Sequence, residues 1–195
     1  MIIYWRGGNC LKIESQNSGL ILDPASAQNA TKQVKLDGDA VVFMSAEEKS
    51  KLSASKDSFF SIYNPGEYDV KDFFIISLSN SKDKPIHVLE VEGMRLCHLS
   101  EANQKELPDE QLSAIGTIDV LFINVDGAID GETAAKLVNE IEPRVVIPMG
   151  YEGDKPSLFL KEMGGVAEEP QNKANIKRKD LPQEETKIIL LNVTK

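Results

Sequence analysis

The chain has 195 residues, with 22 Lys and Arg against 31 Asp and Glu, for a formal charge of −9 at pH 7 and a pI near 4.8. That balance argues against a general nucleic-acid or anionic-membrane binder, whose phosphate contacts need clustered positive charge. With 41% apolar residues the chain can bury a sizeable core as one domain, and its two histidines are too few for a histidine-rich metal site.

Taken in order, the N-terminal stretch alternates short strand-like runs with turns. Ile2 to Glu14 carries Trp5, Cys10, Leu11 and Ile13 around a Gly7-Gly8-Asn9 break, Asn17-Ser18-Gly19 is a turn, and Leu20-Ile21-Leu22 runs into Asp23-Pro24. After a polar segment, Ala40 to Met44 is apolar. Ser45 can then cap a helix, with Glu48 three residues on completing a capping box. Strands follow at Phe59 to Tyr63, Tyr68 to Val70, Phe73 to Leu78, Ile86 to Val91 and Met94 to Leu99, joined most simply as hairpins through turns such as Pro65-Gly66 and Glu92-Gly93.

The character then changes. A helix from about Pro108 to Ala114, a strand from Val120 to Val125, a helix from about Gly131 to Ile141 and a strand from Val145 to Ile147 form two β-α units, which implies parallel pairing. A short helix around Ser157 to Met163 and a final strand from Lys187 to Val193 close the chain; Lys177-Arg178-Lys179 reads as a solvated loop. Each half, about 1–85 and 86–195, runs from strands into helices. The expected fold is a single α/β domain, a four-layer α/β/β/α sandwich with its two halves packed sheet to sheet.

No run approaches the roughly 20 apolar residues of a membrane span, and the start lacks a basic region followed by an apolar one. The expectation is a cytoplasmic protein with no membrane partner. Cys10 and Cys97 lie in apolar runs outside any CxxC pattern and read as buried free thiols. Phe59-Phe60 and Phe73-Phe74 place one ring of each pair on either sheet face. One face could serve a partner or a homo-oligomer; burial of both in a sandwich is the favoured reading.

Several segments in this order resemble the metallo-β-lactamase-fold hydrolases, in the branch of the ascorbate-6-phosphate lactonases. They are Tyr4-Trp5-Arg6-Gly7-Gly8-Asn9-Cys10-Leu11-Lys12-Ile13-Glu14 with Leu20-Ile21-Leu22-Asp23-Pro24, the hairpin from Val88 to Glu101, Ile118-Asp119-Val120-Leu121-Phe122-Ile123-Asn124-Val125-Asp126-Gly127, and Pro143 to Tyr151. The resemblance implies the same sandwich fold. It also implies a dinuclear metal centre, usually zinc, held by a Ser-His-x-His-x-Asp-His strand end, a Gly-His motif, a bridging aspartate and a Pro-Met-His-Tyr segment.

This chain departs from that ligand set. Ala46, Glu48, Ser50 and Lys51 stand at the positions of the strand-end histidines and aspartate, Gly8 and Gly150 at those of two further histidines, and Glu101 at that of the bridging aspartate. A catalytic zinc needs about three nitrogen, sulfur or carboxylate ligands plus water, and the matched positions offer two glutamates and a lysine. They suit at best a weakly held Mg²⁺ or Mn²⁺. Without a metal, water keeps its pKa of about 15.7 and no nucleophile forms. Lys51 could stand in for the missing cation by pairing with Glu48 or Glu101.

The other candidates have ordinary structural readings. Asp23 suits a turn in which its carboxylate caps the following backbone. His98 reads as a core or supporting histidine, and His87, at a strand start, as a surface residue with no reason to pair with it. Asp23, Glu48, Lys51, His98 and Glu101 are the residues of a residual cleft. The expectation is a protein with no cofactor and no catalytic set, acting as a binding, scaffold or regulatory protein for an unidentified protein or small molecule. The alternative is a hydrolase of a lactone or phosphoester, working through Asp23, Glu48 and Glu101 around a hard metal or through an unrelated site.

Overall fold

The computed structural model describes residues 1–27, 40–42, 59–78, 85–99, 105–127, 129–153, 155–165 and 167–194. The first sheet contains β1 (Ile2–Trp5), β2 (Leu11–Glu14), β3 (Gly19–Leu22), β4 (Ala40–Val42), β5 (Phe60–Ile62) and the two-residue β12 (Ala174–Asn175). Its order is β12-β1-β2-β3-β4-β5, antiparallel from β12 to β3 and parallel from β3 to β5. The second sheet contains β6 (Gly66–Val70), β7 (Phe73–Leu78), β8 (Ile86–Val91), β9 (Met94–His98), β10 (Val120–Asn124), β11 (Val145–Met149) and β13 (Lys187–Ile188). Its order is β13-β11-β10-β9-β8-β7-β6, with hairpins from β6 to β9 and parallel pairing from β9 to β13.

Period-two patterning explains how the second sheet is placed. In β7, Phe73, Ile75 and Ser77 are buried while Phe74, Ile76 and Leu78 are only half-buried. In β8 and β9, Glu90 and Arg95 are cross-strand partners, form an ion pair and face outward. Arg95 Nε donates to the Ile115 carbonyl at 2.9 Å, tying α1 (Asp109–Ile115) to that outer face. The opposite face carries Leu89, Val91, Met94 and Leu96, which join Ile3, Trp5, Leu11, Ile13, Leu20 and Leu22 of the first sheet in one apolar core.

α2 (Gly131–Ile141) starts where Asp130 accepts a hydrogen bond from the Thr133 N–H at 2.8 Å, and its buried stripe is Ala134, Ala135, Leu137, Val138 and Ile141. It packs on β10 and against α3 (Ser157–Glu162). The chain is thus a mixed α/β sandwich of two sheets, as expected. The helix expected after Ser45 lies outside the described residues. Among the described residues no helix is long and apolar enough to cross a membrane.

Three local expectations are corrected. The strands on either side of Pro65-Gly66 do not form a hairpin: β5 pairs with β4 in the first sheet and β6 with β7 in the second, so the turn carries the chain between sheets. The crossing therefore comes earlier than the boundary near residue 85, and β12 returns to the first sheet. The final segment is no single strand either. Lys187 and Ile188 pair with β11, Leu191 bridges Gln171 and Val193 bridges Trp5, because the segment passes from one sheet to the other and cannot stay in one ladder. The third is Phe60, whose side is open: it is 49% exposed, on the edge strand of its sheet.

Cys10 and Cys97 are free and buried, as expected. Burial pushes both thiols up, Cys97 to about 12, and Asp23 adds to the effect on Cys10. Lys177, Arg178 and Lys179 are exposed, as a solvated loop should be.

Candidate functional site

The ends of β1, β3, β9, β10 and β11 open toward the same end of the sandwich; Asn124 is the last residue of β10, and the loops that leave β1, β3 and β11 carry Gly8, Asp23 and Gly150. Gly8 sits in the turn between β1 and β2 with φ +54°. A side chain there would put its Cβ 2.2 Å from the Ser26 carbonyl oxygen, so the β1-β2 turn and the Asp23–Ser26 turn meet backbone to backbone. The Gly8 carbonyl accepts from the Trp5 indole N–H at 2.8 Å. Trp5 packs on Tyr151, ring centroids 4.9 Å apart, and the Tyr151 hydroxyl donates to the Leu191 carbonyl at 3.1 Å. Burial raises that phenol to about 12.

Gly150 precedes Tyr151 and has φ +74°, and a Cβ there would lie 2.2 Å from Asn124 Nδ2. Asn124 is occupied on both ends: Nδ2 donates to Asn9 Oδ1 at 2.8 Å, and Oδ1 accepts from the Asp126 N–H at 3.1 Å. Asn9 in turn donates its backbone N–H to Ser26 Oγ at 2.9 Å, and Ser26 Oγ donates to the Asp23 carbonyl at 3.0 Å. His98 Nε2 lies 3.0 Å from the Asn9 carbonyl oxygen. Neutral amides and main-chain groups therefore link the two sheets at this end.

Of the positions expected to form a residual cleft, the structure brings Asp23 and His98 to this network. Asp23 is buried with φ 45°. The turn it begins is held by its carbonyl, which accepts from Ser26, while its carboxylate makes no capping hydrogen bond to the following helical turn. His98 is fully buried, as a supporting histidine should be. Ala46, Glu48, Ser50, Lys51 and Glu101 lie outside the described residues, as do the proposed Lys51 ion pairs.

His87 corrects the surface assignment. It is 1% exposed and sits directly opposite His98, ring centroids 6.3 Å apart. Both faces of β8 are covered at that point, so a position near the strand start is still interior. Burial pushes His87 down to about 3, with the neighbouring His98 adding to the shift, and pushes His98 down to about 4 against the opposing effect of the Asn9 carbonyl. Asn9, Ser26 and Asn124 were not singled out by sequence. The readable signal is Asn124 itself, a polar residue ending a fully buried apolar strand.

The chain belongs to the beta-lactamase superfamily: the sequence profile of its domain matches residues 2–150. No curated protein matches the chain. Among solved structures, it is similar to a protein of Thermotoga maritima assigned as a Zn-dependent hydrolase of the metallo-beta-lactamase superfamily, at 24% identity and TM-score 0.78 over 98% of each chain. It is similar in fold to the metallo-beta-lactamase fold protein YhfI of Bacillus subtilis (12% identity, TM-score 0.60, 97% of this chain and 96% of that one). A metallo hydrolase of the archaeon Ignicoccus hospitalis matches at 15% identity and TM-score 0.59, over 90% of this chain and 99% of that one.

The metal centre implied by this fold family does not fit the described residues. Gly8 and Gly150 offer no donor side chain, and their Cβ positions are taken by the Ser26 carbonyl and the Asn124 amide. Among the described residues no group of three or more His, Cys, Asp and Glu could hold a metal ion. What the described residues of this end do chemically is hold the two sheets together and present amide and carbonyl dipoles.

Proposed function

We propose that this protein is a non-catalytic member of the metallo-β-lactamase fold, of the lactonase-like branch, that works in the cytoplasm as a binding, scaffold or regulatory protein. The supporting observation is the packing at Gly8 and Gly150, where a backbone carbonyl and a hydrogen-bonded amide lie 2.2 Å from where any Cβ would stand. Such positions cannot accept a histidine without moving the Asp23–Ser26 turn and breaking the Asn9–Asn124 bond. Loss of those ligands takes away the means of lowering the pKa of water to about 7. The partner is a protein or small molecule, and no nucleic acid or membrane is invoked.

Metal analysis of protein purified without added metal, combined with turnover assays on a lactone and a phosphodiester, tests this reading. The expected outcome is far less than one zinc or manganese per chain and no turnover above buffer. Near-stoichiometric metal, lost together with turnover on chelation, would overturn this reading in favour of a metal-dependent hydrolase.

A further inference from the structure

A second polar group lies between the sheets, and the proposed function makes no use of it. Ser77 on β7 is directly opposite His87 on β8, and His87 is directly opposite His98 on β9. Directly opposed side chains share a sheet face, and His98 fixes which one, because its Nε2 reaches Asn9 of the first sheet. The row therefore points into the sandwich. All three residues are at least nine-tenths buried. Among the described residues, Ser77 Oγ, His87 Nδ1, His87 Nε2 and His98 Nδ1 have no hydrogen-bond partner.

The bonding capacity of these atoms can be assigned. The Asn9 carbonyl can only accept, so His98 Nε2 carries the proton and Nδ1 presents a lone pair. Burial keeps both imidazoles neutral, so His87 presents one N–H and one lone pair, and Ser77 can both donate and accept. Unpaired groups of this kind are costly inside a fold and uncommon in native proteins.

We infer that Ser77, His87 and His98 form a buried hydration site, in which at least one ordered water donates to His98 Nδ1 and bonds to His87 or Ser77 Oγ. Water suits the set because it is neutral, both donates and accepts, and commonly serves two to four buried partners. An anion would face the lone pair of His98 Nδ1 with no cation among these three residues. A transition metal would find two imidazoles and a hydroxyl, short of a closed ligand set. The water orients the ring of His98, which holds the Asn9 carbonyl, and so supports the Gly8-Asn9 turn from behind.

High-resolution diffraction from the full chain tests the site directly. The expected result is a solvent peak within about 2.6–3.2 Å of at least two of the four atoms. No peak there, an anomalous peak from a metal, or direct protein hydrogen bonds filling all four would overturn the inference. Thermal unfolding supplies an independent sign. A hydrated Ser77 is worth keeping, so Ser77→Ala should lower Tm by about 2–4 °C, whereas an unchanged or raised Tm means a dry orphan was removed. His87→Phe should likewise lower Tm. Should that variant fail to fold, cross-relaxation from water to the His87 and His98 ring protons in the unmodified protein decides, and its absence overturns the site.

Discussion

At the loop end of the sandwich Asn9, Ser26 and Asn124 are hydrogen-bonded to one another and to the main chain of Asp23 and Asp126, whereas deeper in the second sheet the side chains of Ser77 and His87 have no hydrogen-bond partner among the described residues. The two clusters share a boundary in His98, one of whose nitrogens serves each. The difference is one of chemistry. An amide carries a donor and an acceptor on one rigid end, so two asparagines and a serine, with neighbouring main-chain groups, can close a network across the sheets. Two neutral imidazoles opposed in stacked orientation cannot aim their in-plane N–H and lone pair at each other. The first cluster substitutes for an external ligand, and the second calls for one.

The largest expected effect comes from breaking the closed cluster at its backbone. In Gly8→Ala the added Cβ meets the Ser26 carbonyl oxygen at 2.2 Å, and φ +54° is unfavourable for alanine. Left-handed strain costs about 1–2 kcal/mol and overpacking about 1–3 kcal/mol, so unfolding in urea should show a loss of about 3 kcal/mol. A midpoint unchanged from the parent protein would mean that the two turns separate freely and that the cluster is not close-packed.

Acid should act on the other cluster. His87 and His98 have native values of about 3 and 4, below the ordinary 6.5. The unfolded chain therefore binds more protons than the native one below pH 6.5, and stability falls as pH falls. The contribution is full above pH 6.5, declines through pH 6 and 5, and levels off only below about pH 4 for His98 and pH 3 for His87. Each histidine contributes a slope of up to about 1.4 kcal/mol per pH unit in that window. Carboxylates titrate at its lower end, so the comparison is between the parent and His87→Phe from pH 6.5 to 5. The variant should lose about half of the pH dependence, and equal slopes in the two proteins would place His87 in contact with solvent.

Local pattern made much of the fold legible. Alternation in Phe73–Leu78 and Ile86–Val91 and the 3.6-residue stripe of Gly131–Ile141 give elements with the expected bounds. Sheet membership was not legible: Pro65-Gly66 makes the same turn whether its flanking strands pair with each other or, as here, join different sheets, and that choice depends on partners far along the chain. At the site, the ordered motifs located Gly8 and Gly150 as positions without donors, but not what fills the space beside them. Asn124 ends an apolar run, and its partner Asn9 is 115 residues away, a pairing no local pattern reveals. For His87, position at a strand start suggests a surface residue. Its place two residues before Leu89 and four before Val91 puts it on their inward face, and that was the better guide.

The smallest effect tests whether the closed cluster owes its stability to mutual hydrogen bonding. Ser26 Oγ accepts from the Asn9 N–H at 2.9 Å and donates to the Asp23 carbonyl at 3.0 Å. Ser26→Ala removes both bonds and leaves the apolar packing intact. Because Ser26 is only half-buried, water can reach the abandoned groups, and the expected loss is about 1 kcal/mol in urea unfolding. The same serine-to-alanine change at Ser77 acts where no described residue supplies a partner, so its sign depends on water. A loss at Ser26 near that size shows that protein groups stabilise the loop end directly. No loss would mean that the Gly8 backbone contact alone fixes the turn, and that the amide network follows the packing instead of directing it.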